Sequence, residues 1–517
     1  MGRRFLRADY EATLEQTVRV GDYLPAEHLA RFVVNAVAHL DLNALYRRYG
    51  ARGGTAYAPE MLLSVLFYGY ATGVFSSRKI ERATYEMLPF HYLAGGLHPD
   101  HDTLAHFRKT FLPALKELFV QVLALAQAMD LLQVGTISLD GTKVHADASK
   151  SKAVSDKRLL ELEAQLRAEV DELFSLAEQA DQSAVPAEMA LPDEIALRQA
   201  QLARLAEAKA VLEARAKERE AQERAAYDAK MRAREEKAAC TGRRPGGRAP
   251  TPPTPGVRDT DHYTFTDPES RIMKNPTNAG MDQHYNGQVA VEQESLLIVG
   301  YALSNHPNDQ HEVEPTLESI PPRMGTPTAA ALDTGYFSAA NIAACERRGI
   351  EPYIATRRTG HHQGWPAYFA GQPEPPPVAA SPKEKMAYKL RTAEGRAIYR
   401  RRKCTVEPVL GCLKEVLGFR QFSLRGLAAA AEEWCLLCVA RNLKRLHVLS
   451  LAQQRPLPPR AAGASVPPAS DRLSVPVLLW SIVCWLVAAL LHGPQHAFAR
   501  MLAAGSPLSR AISPTDC

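Results

Sequence analysis

Two short stretches end an apolar run on an aspartate. In SLDGTK, Asp140 follows Ile137 and Leu139; in ALDTGY, Asp333 follows three alanines and a leucine. A carboxylate set against a buried strand is costly unless it finds hydrogen bonds, shifts its pKa or binds a cation. Each aspartate precedes Gly or Thr, so an ordinary turn is the plain alternative. Further along, YRRRKCTVEPVLGCLK (399–414) reads as a helix from about Thr405, with Pro408 tolerated in its first turn. It carries Glu407 and Lys414 seven residues apart, on one face about two turns apart. Asp, Asp and Glu from two strands and a helix offer hard oxygen ligands. Such a set can hold two Mg²⁺ or Mn²⁺ ions, one activating an attacking oxygen and the other stabilising the leaving one. The neighbouring run Arg400, Arg401, Arg402, Lys403 is a phosphate-binding surface.

Other polar residues have simpler readings. His145 and Asp147 follow Asp140 as polar strand or turn residues. Residues 275–287 (NPTNAGMDQHYNG) are mostly turn chemistry. Asp309 and His311 read as capping residues of a helix. Glu415 points about 100° away from Lys414 and is a poor substitute for Glu407.

Positioning these acids requires a sheet. Strands are expected at 285–293 and 296–305 as a hairpin, at 328–338 and at 350–356, with helices at 308–320 and 339–349. That order describes an α/β sheet of mixed direction. The Asp140 strand, in 131–150, precedes a long helical stretch, so the α/β domain is split and resumes over 262–450. Between lie 151–240, rich in Ala, Leu, Glu and Arg and read as a helical hairpin, and 241–261, a Pro/Gly/Arg linker expected to be disordered. Residues 1–130 read as helices: 58–73 opens on Pro and ends on Gly, 74–95 presents Arg78, Lys79 and Arg82 early, and a third helix is capped by Asp102 or Thr103. Basic helix starts joined by tight turns suit a helix-turn-helix-like DNA-binding module.

The 517 residues are 46% hydrophobic and 23% charged, with a net charge of +5, which permits a polyanion partner without demanding one. The eight cysteines form no paired framework, which fits a reducing cytoplasm, and Cys435 and Cys438 read as core thiols. No amino-terminal apolar segment resembles a signal peptide. Within the 451–517 extension, 475–491 is apolar at the lower length limit for a membrane span and is read as a packed tail.

These blocks, in this order, resemble a bacterial insertion-sequence transposase of the DDE class over about residues 20–447. FSSRKIERATYE and HPDHDTLAHFRK look like that family's helical DNA-binding segment. SLDGTKVHADASKSK, ALDTGY and YRRRKCTVEPVLGCLK look like its three catalytic blocks, and EWCLLCVARNLKRL like its closing helix. The resemblance implies a ribonuclease-H-like core in which Asp140, Asp333 and Glu407 are catalytic and hold Mg²⁺ or Mn²⁺. Related third blocks carry Tyr, Arg, Glu and Lys at set spacing. Tyr399, Glu407 and Lys414 match; Lys403 stands where Arg is usual, with Arg402 or Arg400 as alternatives. DNA contacts are then expected from Tyr399, Arg400, Arg402, Lys403, Lys414, Arg78, Lys79 and Arg82. The implied partners are the element's ends, target DNA and a second copy, in the cytoplasm at the nucleoid. Strand cleavage followed by strand transfer is the implied activity; a nuclease that does not join, or an inactive DNA-binding relic, are the alternatives.

Overall fold

The computed structural model describes residues 20–49, 56–180, 191–243, 246–275, 280–357, 374–377, 380–455 and 457. The apolar 475–491 segment, and residues 276–279 of the 275–287 stretch, lie outside them. Among the described residues, no single helix is long and apolar enough to cross a membrane.

The amino-terminal part is α1 (Leu29–Ala38), α2 (Asn43–Tyr46), α3 (Pro59–Thr72), α4 (Ser77–Glu86), α5 (Leu88–Leu93), α6 (His101–Phe111) and α7 (Leu115–Ala128). Helix α3 starts on Pro59 and ends on Gly73 at φ 86°, a left-handed cap suited to glycine. Two of the expected helices are each divided. Residues 74–95 form α4 and α5, parted at extended Met87, with Pro89 opening the second. The third breaks into α6 and α7 at Leu112–Ala114, where Pro113 lacks an N–H. Its cap is Asp100 rather than Asp102 or Thr103: the Asp100 carboxylate accepts from the Thr103 amide at 2.7 Å and its hydroxyl at 2.9 Å.

Strand β1 (Thr136–His145) begins the core and leads into the insertion. There β2 (Ala153–Ser155) precedes α8 (Asp156–Ala180) and α9 (Leu191–Thr241), and β3 (His262–Thr264) closes it by pairing antiparallel with β2, Ser155 opposite His262. Leu159, Leu205, Ala208, Leu212 and Tyr263 form a separate small core at the base of the arm. The expectation of a disordered linker at 241–261 fails. Thr241 still belongs to α9, and the segment returning along it is fixed by Arg219 to Asp261 at 2.7 Å, and by Arg219 to the Gly256 carbonyl at 2.8 Å. Gly247 and Gly256 bend this segment at positive φ, and the charges on α9 hold it.

The main sheet resumes with β4 (Arg271–Lys274), β5 (Met281–Glu292), β6 (Ile298–Ser304), β7 (Ala329–Leu332) and β8 (Glu351–Ile354), with α10 (Val313–Glu318) and α11 (Ala339–Arg347) between. β1 is central, antiparallel to β5 and parallel to β7; β8 extends the parallel side, and β4 and β6 pair with β5. The β5–β6 turn lacks favoured turn residues because the buried Glu292 carboxylate does their work. It accepts from the Glu294 and Ser295 amides and the Ser295 hydroxyl, holding Leu296 at φ 58°. The 328–338 strand stops at Leu332 and gives way to a tight turn at Thr334–Tyr336; the 308–320 helix is a turn at Asp309–His311 followed by α10.

Three helices complete the core: α12 (Pro382–Lys389), α13 (Ala393–Gly411) and α14 (Leu427–Ala452). Helix α14 joins the head to the sheet. Its Trp434 ring lies so close to Gly287 that an added Cβ would sit 2.9 Å away, and its indole donates to the Gln288 carbonyl at 3.1 Å. Glu433, fully buried, accepts from Tyr70 of α3 at 2.8 Å and the Ser423 amide at 2.8 Å, with Arg108 of α6 at 4.0 Å.

Because Ser155 and His262 already face each other, a two-residue Asn-Gly turn can replace 156–261 without moving β2 or β3. The shortened chain is expected to melt in one cooperative transition and to retain the sheet. Loss of that transition in calorimetry would show that the arm is integral to the core.

Candidate active site

Strand alternation sets up one face of β1. Ser138, Asp140 and Thr142 lie on the same side, and each meets the Glu407 helix or its extension. The Thr405 hydroxyl donates to Ser138 Oγ at 2.8 Å, Arg402 Nη1 to Asp140 Oδ2 at 2.8 Å, and Lys414 Nζ to Thr142 Oγ1 at 2.9 Å. Gln293 also donates to Ser138 Oγ at 3.0 Å. The helix is longer than expected. It starts at Ala393, where the Thr392 hydroxyl accepts from the Gly395 amide, and Pro408 sits inside it rather than in the first turn. It then widens into a π-turn at Cys412–Val416. Lys414 lies in that wide turn, not on a regular face two turns from Glu407, and also donates to the Lys143 carbonyl at 2.8 Å.

Asp140 is not at the end of its strand: β1 continues to His145 because β5 pairs along its length. It is instead the residue just past the parallel ladder. The last β1–β7 pair is Leu139 with Leu332, so Asp140 and Asp333 are the next residues on neighbouring strands. Glu407 faces them from α13. One guanidinium joins all three acids: besides its bond to Asp140, Arg402 Nη2 lies 3.7 Å from Asp333 Oδ1 and 3.5 Å from Glu407 Oε1. Arg402 is 4% exposed, and Asp333 and Glu407 are about half exposed, at 50% and 51%. Burial raises the Asp140 carboxyl above its ordinary range, with Arg402 opposing and the Asp333 charge adding a lesser push. Of Lys403 and its two alternatives, Arg402 and Arg400, Arg402 is the one that meets the acids. Lys403 and Arg400 are exposed, and by helical phase they share the Glu407 side of the helix. Tyr399 is half-buried against Arg402, which opposes a rise in its pKa caused chiefly by burial.

The chemistry of the donor set suits hard divalent ions. Among the described residues, no three acidic, histidine or cysteine side chains stand together closely enough to hold one ion, because the Arg402 guanidinium lies between these three. Arg402 therefore has to withdraw before a metal could be shared by Asp140, Asp333 and Glu407.

A polar layer on the other face of β1 escaped the sequence reading. Asp309 is not a cap: its Oδ1 accepts from Asn286 at 2.7 Å and Gln288 at 2.9 Å, with Lys143 Nζ at 3.6 Å. Gln288 in turn accepts from the Tyr336 hydroxyl, which ends the turn that carries Asp333. Gly141 gives Gln288 room to cross; a Cβ there would lie 2.2 Å from its Nε2. The available signal was the density of amides in QHYNGQ, just before the apolar VAV of the same strand.

The remaining sequence candidates lie apart from the acids. His145 is a strand residue whose ring lies tilted against His284, and Asp147 pairs with Arg425 at 2.8 Å. Glu415 pairs with exposed Arg420. Arg78, Lys79 and Arg82 are exposed on α4, Arg82 paired with Glu86 at 2.6 Å. Cys435 and Cys438 are buried in α14.

Two family models match the chain. Residues 18–110 match a transposase domain (DUF772), which takes in α1 to α6 and the α4 cations. Residues 269–443 match a transposase DDE domain, which contains Asp333 and Glu407 and begins after the Asp140 strand and the arm. The core accordingly has the ribonuclease-H-like fold, with the mixed sheet described above. No curated protein and no solved structure matches the chain.

Two outcomes test this geometry in metal-free buffer. The folded-state pKa of Asp140 is raised, so its contribution to stability is full below the ordinary carboxylate range and is lost as pH rises through the raised value. Asn cannot ionise, so Asp140→Asn should gain on the parent as pH rises above the ordinary carboxylate range. Parallel stability–pH curves from urea titrations would contradict this. Gly141→Ala forces Gln288 off its two partners and should cost about 1–3 kcal/mol by the same titration; a neutral result would show that the amide layer is slack.

Proposed function

We propose a reaction for a chain that belongs to the DDE transposases of bacterial insertion sequences: it cuts DNA at the ends of its own element and joins the freed ends to a target. The observation that carries this reading is the convergence of Asp140, Asp333 and Glu407 on one guanidinium, from two neighbouring strands and a facing helix. In the first step water attacks phosphorus, the P–O3′ bond breaks and the 3′-oxygen leaves as a hydroxyl. In the second, that hydroxyl attacks a target phosphodiester and displaces its 3′-oxygen. The family works with divalent metal; here Asp140, Asp333 and Glu407 would hold a pair of Mg²⁺ or Mn²⁺ ions, which supply activation of the attacking oxygen and charge stabilisation of the leaving one.

The chain's own cations take the phosphates. Arg402, released from the acids, has a planar fork for a phosphate close to the reacting one. Lys414 is held on the β1 backbone beside Asp140, where it can fix the scissile strand. Tyr399 steadies Arg402, while the exposed Lys403 and Arg400, on the Glu407 side of the helix, hold the flanking backbone. Arg78, Lys79 and Arg82 on α4 bind duplex away from the chemistry. Joining two element ends in one event calls for two copies of the chain.

The test uses labelled DNA carrying the element's ends, taken from the sequence flanking the gene. Cleavage and strand transfer are read on gels for the parent and for Asp140→Asn, Asp333→Asn and Glu407→Gln. Each variant should lose cleavage by about 10³-fold or more while binding the same DNA, because phosphate contacts on the head do not use the acids. Added Mn²⁺ should raise the melting temperature of the parent and not of Asp140→Asn. Wild-type cleavage by any of the three variants would sink the site assignment. Cleavage without joining would make the chain a nuclease, and binding with neither activity a relic.

A further inference from the structure

We propose that the distal half of the inserted arm is a second DNA-backbone contact, well beyond the core; this rests on the DNA-acting reading above. Ala216 is the last buried residue of α9, and none of 217–241 is buried. At about 1.5 Å per residue this stretch reaches ~38 Å past the small core at the arm's base, the length of about eleven base pairs. A helix that buries nothing over such a length contributes no core packing to the fold.

The charges change along the arm. The α8–α9 hairpin and the start of the extension are laced with ion pairs: Arg167 with Glu163, Arg198 with Glu169 and Arg258 with Glu223. Farther out, Lys230, Lys237, Arg243 and Arg248 are exposed and have no acidic partner among the described residues. At about 100° per residue, Lys230, Arg234 and Lys237 fall within about 60° of one another, whereas Asp228, Glu235 and Glu236 lie on the opposite side with the single cation Arg232 among them. Arg234 donates to the Gly247 carbonyl at 3.5 Å, which draws the returning segment, with Arg243 and Arg248, onto the basic side. The helical cations rise by about 4.5–6 Å from one to the next, close to the spacing of phosphates along a strand. One basic side carrying acids behind it fits a polyanionic backbone and gives no means of reading bases.

The test compares the full-length parent with Lys230→Glu/Lys237→Glu/Arg243→Glu/Arg248→Glu on mixed-sequence duplexes of about 15 and about 50 base pairs across a salt series. All four positions are exposed, so circular dichroism and melting should match the parent. On the long duplex the variant should bind at least tenfold more weakly at low salt. Its salt slope should be shallower by about three to four, at about 0.9 for each phosphate no longer neutralised, and the surplus affinity for the long duplex should vanish. A second variant, Asp228→Asn/Glu235→Gln/Glu236→Gln, makes the chain more basic on the other side and should leave the parent's length dependence unchanged. If the parent binds and the reversed variant matches its affinity and slope, the arm contact is overturned and the DNA-acting reading stands. Equal and opposite responses of the two variants would also overturn it, as generalised attraction rather than a basic side. Failure of the parent to bind either duplex would overturn both readings.

Discussion

Three carboxylates drawn together over the middle of a sheet repel each other and resist burial, and the rest of this core is arranged around the cation that offsets them. Arg402 is nearly buried, so it too has given up water, and a guanidinium in that position is tolerable only with acids at its nitrogens. Each side depends on the other. Removing the arginine leaves a buried Asp140 without its partner, and removing the acids leaves a buried cation. The pairing works only if helix and strand stay in register, and hydrogen bonds rather than apolar contact alone fix that register. Thr405, Ser138 and Gln293 stitch the helix to β1 on one side of the acids, and Lys414 does so on the other. Behind the strand, Gln288 spans Asp309 and Tyr336 and so ties the Asp333 turn to β5.

Such a site tolerates an interruption of more than a hundred residues for a related reason. Loop-closure cost grows only slowly with length, so what matters is whether the ends of the insertion are held together. The β2–β3 pair holds them, and Tyr263 on β3 belongs to the arm's own small core. The arm therefore folds upon itself and passes little strain to β1. The head is coupled more firmly. Glu433 collects Tyr70 and two backbone amides in a dry interface, so α3 and α14 behave as one packed layer with the sheet.

The acids were legible in the sequence because strands announce themselves: an apolar run that stops on Asp fixes a place at the edge of a ladder. The parallel pairing of Leu139 with Leu332 then made two separate readings into one site. Which cation would stand among the acids was not legible. In Arg400-Arg401-Arg402-Lys403 every residue has the right charge, and only the helical phase selects one. That phase runs from Thr392 at the cap, through a proline taken for a boundary, to a widened turn. Composition misled at 241–261 for a different reason. Proline and glycine describe the chain's own preferences, whereas the order there comes from Arg219 and Glu223 across the way. The Asp309 layer was hidden because its members come from four separate segments, and none has meaning alone.

The Arg402 arrangement also bears on how such a site could pass between two states. Its Nε is buried and finds no hydrogen bond among the described residues, and two of its three acidic contacts are longer than 3 Å. The cation is thus held by charge more than by a complete set of hydrogen bonds. An incompletely satisfied buried ion pair is the kind that gives way when a better-matched cation competes for the same oxygens. Asp333 and Glu407, half exposed, are reachable from solvent, whereas Asp140 is the more enclosed and the more firmly bonded. Asp333 and Glu407 are therefore the looser side of this pairing and Asp140 the tighter, so the same guanidinium that offsets the acids keeps its firmest hold on the one acid that burial would otherwise penalise most.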